Sequence, residues 1–296
     1  KVILDSYFIK IDIERPAQAF DIFERMNARG VPLDVSDLLK NHLFANSDSI
    51  QDIEEKWIQI VDNAGSTPLR MFKYFWVSKC GYVKKSELYK QLREYSINNG
   101  VEKFILELEN FSLFYWVVRE GEPQDIKDYL TDIGLTEITS NESYLNNVIN
   151  AFEALRLFRI TQVYPVLYSM ISNYVASNNK DVDLFLRLIS TLEKYHFVNN
   201  MICERVGNEV EKLYADYAKQ YNGGSFTALS ESLVSDLRSK KARKEEFVSN
   251  FTTLSYAPDS IGLICYIFDR INNDLYKAKG GQRVKVFYPD QSVQKK

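Results

Sequence analysis

Cysteine and histidine are scarce in this chain: Cys80, Cys203 and Cys265 are the only cysteines, and His42 and His196 the only histidines. The cysteines are odd in number, widely spaced and include no C-x-x-C, which excludes a disulfide framework and a thiolate zinc site and fits a reducing, cytoplasmic compartment. With no carboxylate cluster beside either histidine, no histidine metal site is expected. Glycine (12) and proline (7) are few, which favours long helices over turn-rich architecture. Neither sign of charge dominates: 37 basic against 40 acidic residues leave a net charge of -3, so any nucleic-acid contact must come from a local patch. Long apolar runs are missing too. The longest, residues 113–118, is far short of the ~20 residues a membrane span needs, and no signal peptide is visible, so no membrane partner is expected. No Walker loop, G-x-G-x-x-G, G-x-S-x-G or H-E-x-x-H string occurs.

Aromatic side chains, by contrast, are plentiful (19 Tyr, 18 Phe), and 45% apolar with 26% charged residues is the balance of a globular chain. The length suffices for one large or two ordinary domains. Most of it reads as helix. Ile50, Ile53, Trp57 and Val61 mark one helix, ended near Gly65; Leu69, Phe72 and Trp76 mark the next, begun at Thr67-Pro68; Leu88, Leu92 and Tyr95 mark a third. Val101, Phe104, Leu108, Phe111, Tyr115 and Val118 alternate steps of three and four and predict a central core helix. A short helix around 126–130 and a polar loop over 136–143 follow. Leu145, Val148, Phe152 and Leu155 then begin a helix that Pro165 must kink or restart.

Asp181 opens the longest pattern: Val182, Phe185, Ile189, Leu192, His196, Asn199, Cys203, Val206, Val210, Leu213 and Tyr217, which Asn199-Asn200 or Gly207 can interrupt. Phe226, Leu229 and Leu233 follow the Gly223-Gly224 turn, and Ile261, Ile264, Phe268, Ile271 and Leu275 predict a last helix. Strand-like alternation is confined to the ends, at Ile9, Ile11 and Ile13 and at Val284, Val286 and Tyr288. The expected fold is mainly α: a compact multi-helix domain with a short strand near each terminus. The aromatics lie on helix stripes and read as core rather than as base-stacking platforms.

One stretch carries more information. Phe20, Phe23 and Met26 recur at helical spacing, Asn27 and Gly30 suit a left-handed stop, and Val31-Pro32-Leu33 is extended. Asp34 can then cap a second helix with Asp37 in its first turn. Phe23, Asn27, Gly30, Leu33, Asp37, Leu38 and Lys40 form F-x3-N-x2-G-x2-L-x3-D-L-x-K. Far downstream, YHFVNNMICERVGNEVEKLY holds Arg205, Asn208 and Leu213 in order. Together these two stretches resemble segments of the prokaryotic family typified by the GmrSD-type, modification-dependent restriction endonucleases.

In that family the first segment closes a ParB-like α/β domain, a helical region follows, and many members end in a His-Asn-His nuclease domain. The resemblance implies that 1–48 ends a ParB-like domain, 49–280 is a helical domain, and 281–296 is a strand or linker toward a nuclease domain. The family's Asp-Gly-Gln-Gln-Arg motif, tied to nucleotide binding and hydrolysis, does not occur here, nor does a His-Asn-His box. The expectation is therefore the central part of a longer, type IV-like phage-defence endonuclease, acting as a helical spacer or a DNA- or partner-engaging module and catalytically inert alone. A nucleoside triphosphate and a divalent metal are expected only in the parent, with no cofactor in this chain. DNA, modified DNA included, is the implied partner, and a homo-oligomer stays open. The alternative is a non-enzymatic helical interaction module that binds protein or DNA.

Three groups of residues are candidates for a site. Asn27, Arg29, Gly30, Asp37 and Lys40 could form a polar turn facing a nucleotide or DNA, or could be helix punctuation and surface charge. His196, Asn199 and Arg205 belong to a segment whose apolar stripe takes in His196 and Asn199, so these must find partners in one another, Glu204 or Arg205; a buried structural network is expected. Arg238, Lys240, Lys241, Arg243 and Lys244 could contact phosphate, or could simply be a solvated helix end diluted by Glu245 and Glu246.

Overall fold

The structure, a computed structural model, describes residues 34–177, 180–206 and 210–278, and among these it is helical with no strand. The strands expected over 9–13 and 284–288, and the helix and turn expected over 20–33, lie outside the described residues. The described chain divides into two units, one of residues 34–76 and 83–115, the other of 77–82 and 116–278.

The first unit holds α1 (Val35–Ala45), α2 (Ile50–Ala64), the first part of α3 (Pro68–Cys80), α4 (Leu88–Asn99) and the first part of α5 (Val101–Glu120). Asp34 caps α1, its carboxylate accepting the Val35 N–H at 2.8 Å, with Asp37 in the first turn as the sequence predicts. Ser49 caps α2, and Gly65 ends it with a left-handed φ of 55°. Helix α1 packs on α4 through buried His42, whose Nε2 lies 2.8 Å from Ser96 Oγ. Ser96 donates its own proton to the Arg93 carbonyl, so His42 Nε2–H is the donor and Asn46 Nδ2 serves the other ring nitrogen. All six residues of the stripe expected on α5 are buried. Phe75 meets Phe104 and Phe111 edge-on at 5.7 and 5.8 Å, while Trp57 stacks on Phe72. On α3 the buried face is Met71, Phe72 and Phe75, displaced from the predicted Leu69–Trp76 stripe, both ends of which are half-buried.

The second unit continues with α6 (Pro123–Asp132), α7 (Thr136–Thr139), α8 (Glu142–Leu157), α9 (Tyr164–Ala176) and α10 (Val182–His196). A wide π-helical turn, Phe197–Ile202, precedes α11 (Glu211–Tyr221), α12 (Phe226–Ser239), α13 (Lys244–Phe251) and α14 (Ile261–Ala278). α7 occupies part of the expected polar loop. Pro165 restarts rather than kinks: α8 has already ended, Arg159 is left-handed (φ 56°), and the proline sits in the first turn of α9, where no N–H is needed. α9 packs on α11, and α10 contacts both α8 and α12. Tyr174 on α9 stacks on Phe185 of α10 at 4.6 Å and leans on Phe226 of α12 at 4.9 Å.

α14 departs most from expectation. Its predicted apolar stripe is turned outward, with Phe268, Ile271 and Leu275 each about half exposed (58%, 49% and 57%), while Leu263, Tyr266, Asp269 and Asn273 are buried. The cause is Glu193 on α10. Its carboxylate is buried and accepts from the Tyr266 hydroxyl at 2.6 Å and from Arg270, whose guanidinium also lies over the Tyr266 ring. Burial pushes the Glu193 carboxyl up, against the Arg270 charge and the Tyr266 hydrogen bond, which draw it down. Leaving that carboxylate without its partners would cost more than exposing three apolar side chains.

Arg156 on α8 closes the carboxyl end of α5. Its guanidinium donates to the carbonyls of Val117 (3.3 Å), Val118 (3.3 Å) and Gly121 (2.8 Å) at the helix end, where Val117 also accepts the Gly121 N–H at 3.0 Å. Arg156→Met should lower the unfolding free energy by about 1–3 kcal/mol in a urea titration, with Arg156→Lys recovering part of the loss.

Candidate anion-binding groove

Helix α10 has two faces of opposite character. Asp181 starts it by accepting the Leu184 N–H at 2.9 Å, and Leu184, Phe185, Leu188, Ile189 and Leu192 are buried on one side. On the other, Arg187, Ser190, Thr191 and Lys194 recur at steps that keep them on one helix face. α12 contacts it and carries Leu237 and Arg238 in its last turn, after which the chain turns through Lys241. These seven residues and buried Tyr195 line a groove of about 450 Å³. Four cations thus face one hollow with no carboxylate in its wall. Arg187, Lys194, Arg238 and Lys241 are all exposed, and none of them is in a salt bridge among the described residues. Converging like charges of this kind raise the local positive potential and favour an anion between them.

A polar segment follows α10. The Cys203 N–H bonds the Val198 carbonyl at 3.0 Å, an i to i+5 closure that makes this turn one residue wider than an α-helical one. His196 is buried, with Nδ1 at 2.6 Å from Asn200 Oδ1 and Nε2 at 2.8 Å from the Tyr214 hydroxyl. Asn200 Nδ2 donates onward to the Arg205 carbonyl at 2.8 Å. That sequence of donors fits one tautomer, Nδ1–H on a neutral ring that accepts from Tyr214. Asn199, also buried, faces elsewhere: its Oδ1 accepts the Ala242 N–H at 2.8 Å and its Nδ2 donates to the Lys240 carbonyl at 3.3 Å. Arg205 forks onto Glu246 through Nε (3.0 Å) and Nη2 (2.7 Å), and its Nη1 reaches the same Lys240 carbonyl at 3.4 Å. The Arg205 hydrogen bonds hold the Glu246 carboxyl below the usual carboxylate range.

The candidate residues therefore separate. His196, Asn199 and Arg205 do not bond to one another through their side chains, and Glu204 is exposed at a left-handed φ of 50° rather than serving as a partner. The expected stripe breaks at the wide turn, leaving Val206 68% exposed. Within the basic run, Arg238 and Lys241 line the groove, the Lys240 carbonyl is tied down, and Arg243 and Lys244 cap and begin α13. Asp37 is exposed on α1, and Lys40 lies 5.3 Å over the Phe44 ring. Asn27, Arg29, Gly30 and Asn208 lie outside the described residues. Arg187 and Lys194 were not anticipated from sequence. The signal for them is the polar stripe opposite the apolar one on α10, where the charged members beyond the first turn are both cationic. Among the described residues no group of three or more His, Cys, Asp or Glu side chains is placed to hold a metal ion, and no helix is long and apolar enough to cross a membrane.

In class, this is a chain of helices whose second unit presents a cation-lined groove. At the amino-terminal end, residues 1–44 match the model described as GmrSD restriction endonuclease, N-terminal domain, so this segment is similar to that domain. The described part of the match is Asp34 with most of α1. Neither the curated proteins nor the solved structures gave a match.

Burial lowers the His196 imidazole from 6.5 to about 4, against the Asn200 hydrogen bond, which raises it. Between those values the unfolded chain takes up a proton that the folded chain excludes. Stability carried by neutral His196 is thus whole above pH 6.5 and is lost as pH falls toward 4, about 3 kcal/mol in all. Urea midpoints across this range should fall with acidification in the wild type, and the difference curve against His196→Gln should show that component removed.

Proposed function

We propose that the second unit engages the phosphate backbone of DNA through the α10–α12 groove, as the helical module of a GmrSD-type, modification-dependent restriction endonuclease of prokaryotic defence. The observation that carries this is the convergence of Arg187, Lys194, Arg238 and Lys241 on one acid-free groove in a chain of net charge -3. The family segment at 1–44 supports DNA as the polyanion. Arginine forks and lysine point charges suit phosphate oxygens, and the Ser190 and Thr191 hydroxyls add neutral donors between them. Contacts of this sort position a nucleic acid without reading its sequence. Residues 1–48 end a ParB-like domain in this reading, and the enzyme acts in the cytoplasm. Nucleotide hydrolysis with a divalent metal, and strand cleavage, belong to other parts of such an enzyme.

Fluorescence anisotropy with a labelled DNA duplex tests the groove. Affinity should fall steeply between about 50 and 200 mM salt, and alanine at Arg187, Lys194, Arg238 and Lys241 together should reduce the log–log slope by about 3. Alanine at Lys84, Lys85, Lys90 and Lys103, in the first unit, removes equal charge and should change it far less. Equal effects of the two sets would refute the groove and favour the second reading, a protein-binding module, to which the outward Phe268, Ile271 and Leu275 are suited. A separate assay with magnesium and nucleoside triphosphates should show no turnover of nucleotide or DNA by the pure chain; turnover would contradict the assignment of catalysis to other parts.

A further inference from the structure

The turn between α12 and α13 is short, cationic and self-repelling, yet it places Lys241 against a groove whose other wall is α10. Asn199 explains how. One side-chain amide holds both peptide groups that flank Lys241: its Nδ2 binds the Lys240 carbonyl and its Oδ1 binds the Ala242 N–H. Arg205 adds a second donor to the Lys240 carbonyl and ties the same turn to α13 through its two-pronged pair with Glu246. Asn199 and Arg205 are themselves linked, since the Arg205 N–H donates to the Asn199 carbonyl at 2.8 Å. None of these side chains lines the groove.

We infer that Asn199, Arg205 and Glu246 are positioning residues for the phosphate backbone: they hold the 240–242 turn so that Lys241 and Arg238 face Arg187 and Lys194. The inference rests on the proposed DNA contact, and it makes a claim opposite in sign to simple electrostatics. Glu246 puts a negative charge beside the basic run. If charge alone mattered, removing it would tighten binding to a polyanion. If Glu246 acts by fixing the turn, removing it weakens binding although every groove cation is still present.

The test compares the wild-type chain with Glu246→Gln, Arg205→Lys and, as a control, Asn173→Ala. Arg205→Lys keeps the charge but cannot form the fork. Asn173 bonds the Tyr221 and Gly224 carbonyls elsewhere in the unit, so its loss lowers stability without touching the turn. With a labelled duplex, Glu246→Gln and Arg205→Lys should each weaken binding about fivefold and lower the salt slope by about 1, as if one cation had left the contact. Asn173→Ala should bind like wild type. Amide hydrogen exchange at Ala242 should quicken in the first two variants and not in the control. Unchanged or tighter binding by Glu246→Gln and Arg205→Lys would overturn the inference, as would an equal loss in Asn173→Ala. Should Glu246→Gln fail to fold, the charge-conserving Arg205→Lys decides by the same readings. Absence of salt-sensitive binding in the wild type is a different outcome, because it removes the proposed DNA contact itself.

Discussion

A buried amide cannot be left without partners, and Asn199 meets that requirement with the backbone of a turn some forty residues further along the chain. Much of the second unit's polar architecture follows from this. The wide turn Phe197–Ile202 shifts the helical register so that neighbouring asparagines are used differently: Asn200 bonds His196 and the Arg205 carbonyl, while Asn199 addresses residues 240 and 242. Insertions of this kind are often kept at working parts of a helix, and here the insertion lies next to the groove.

The two ion pairs of this unit act in different ways. Glu193 with Arg270 is largely buried and decides which face of α14 turns inward, overriding the pattern of apolar residues on that helix. Arg205 with Glu246 is half-exposed, where a pair adds little stability in water. Its value is geometric, because a planar fork fixes the relative placement of two segments in a way that a single point charge does not. The same unit thus uses one pair to orient a helix and another to shape a charged rim.

Most helices of the described chain were legible, since steps of three and four mark α2, α5, α8, α10 and α12, whereas α7 stands in an expected polar loop and α13 follows a charge run that carried no apolar stripe. Facing was less legible. The α5 stripe is buried as expected because it is apolar and long, whereas the α14 stripe is exposed because a distant carboxylate recruited Tyr266 and Arg270. Both histidines lie buried with hydrogen-bond partners, but the partner of His196 across the wide turn, Tyr214, is eighteen residues away and leaves no local signature. The basic run stood out in the chain, while Arg187 and Lys194 did not, being separated by apolar residues that draw the eye to the other face.

Composition and periodicity by themselves determined that this is a helical chain with an aromatic core, and a spaced set of residues near Asn27 and Gly30 carried the resemblance to the GmrSD amino-terminal domain that residues 1–44 match. These properties are local: a helix stripe, a cap or a short motif is complete within a few turns. Only the tertiary structure decided which cations share a groove, which helix face is outward, and which asparagine holds the turn that carries Lys241. Those outcomes depend on the pairing of polar groups far apart in sequence, and the penalty for burying any of them alone is what selects one arrangement.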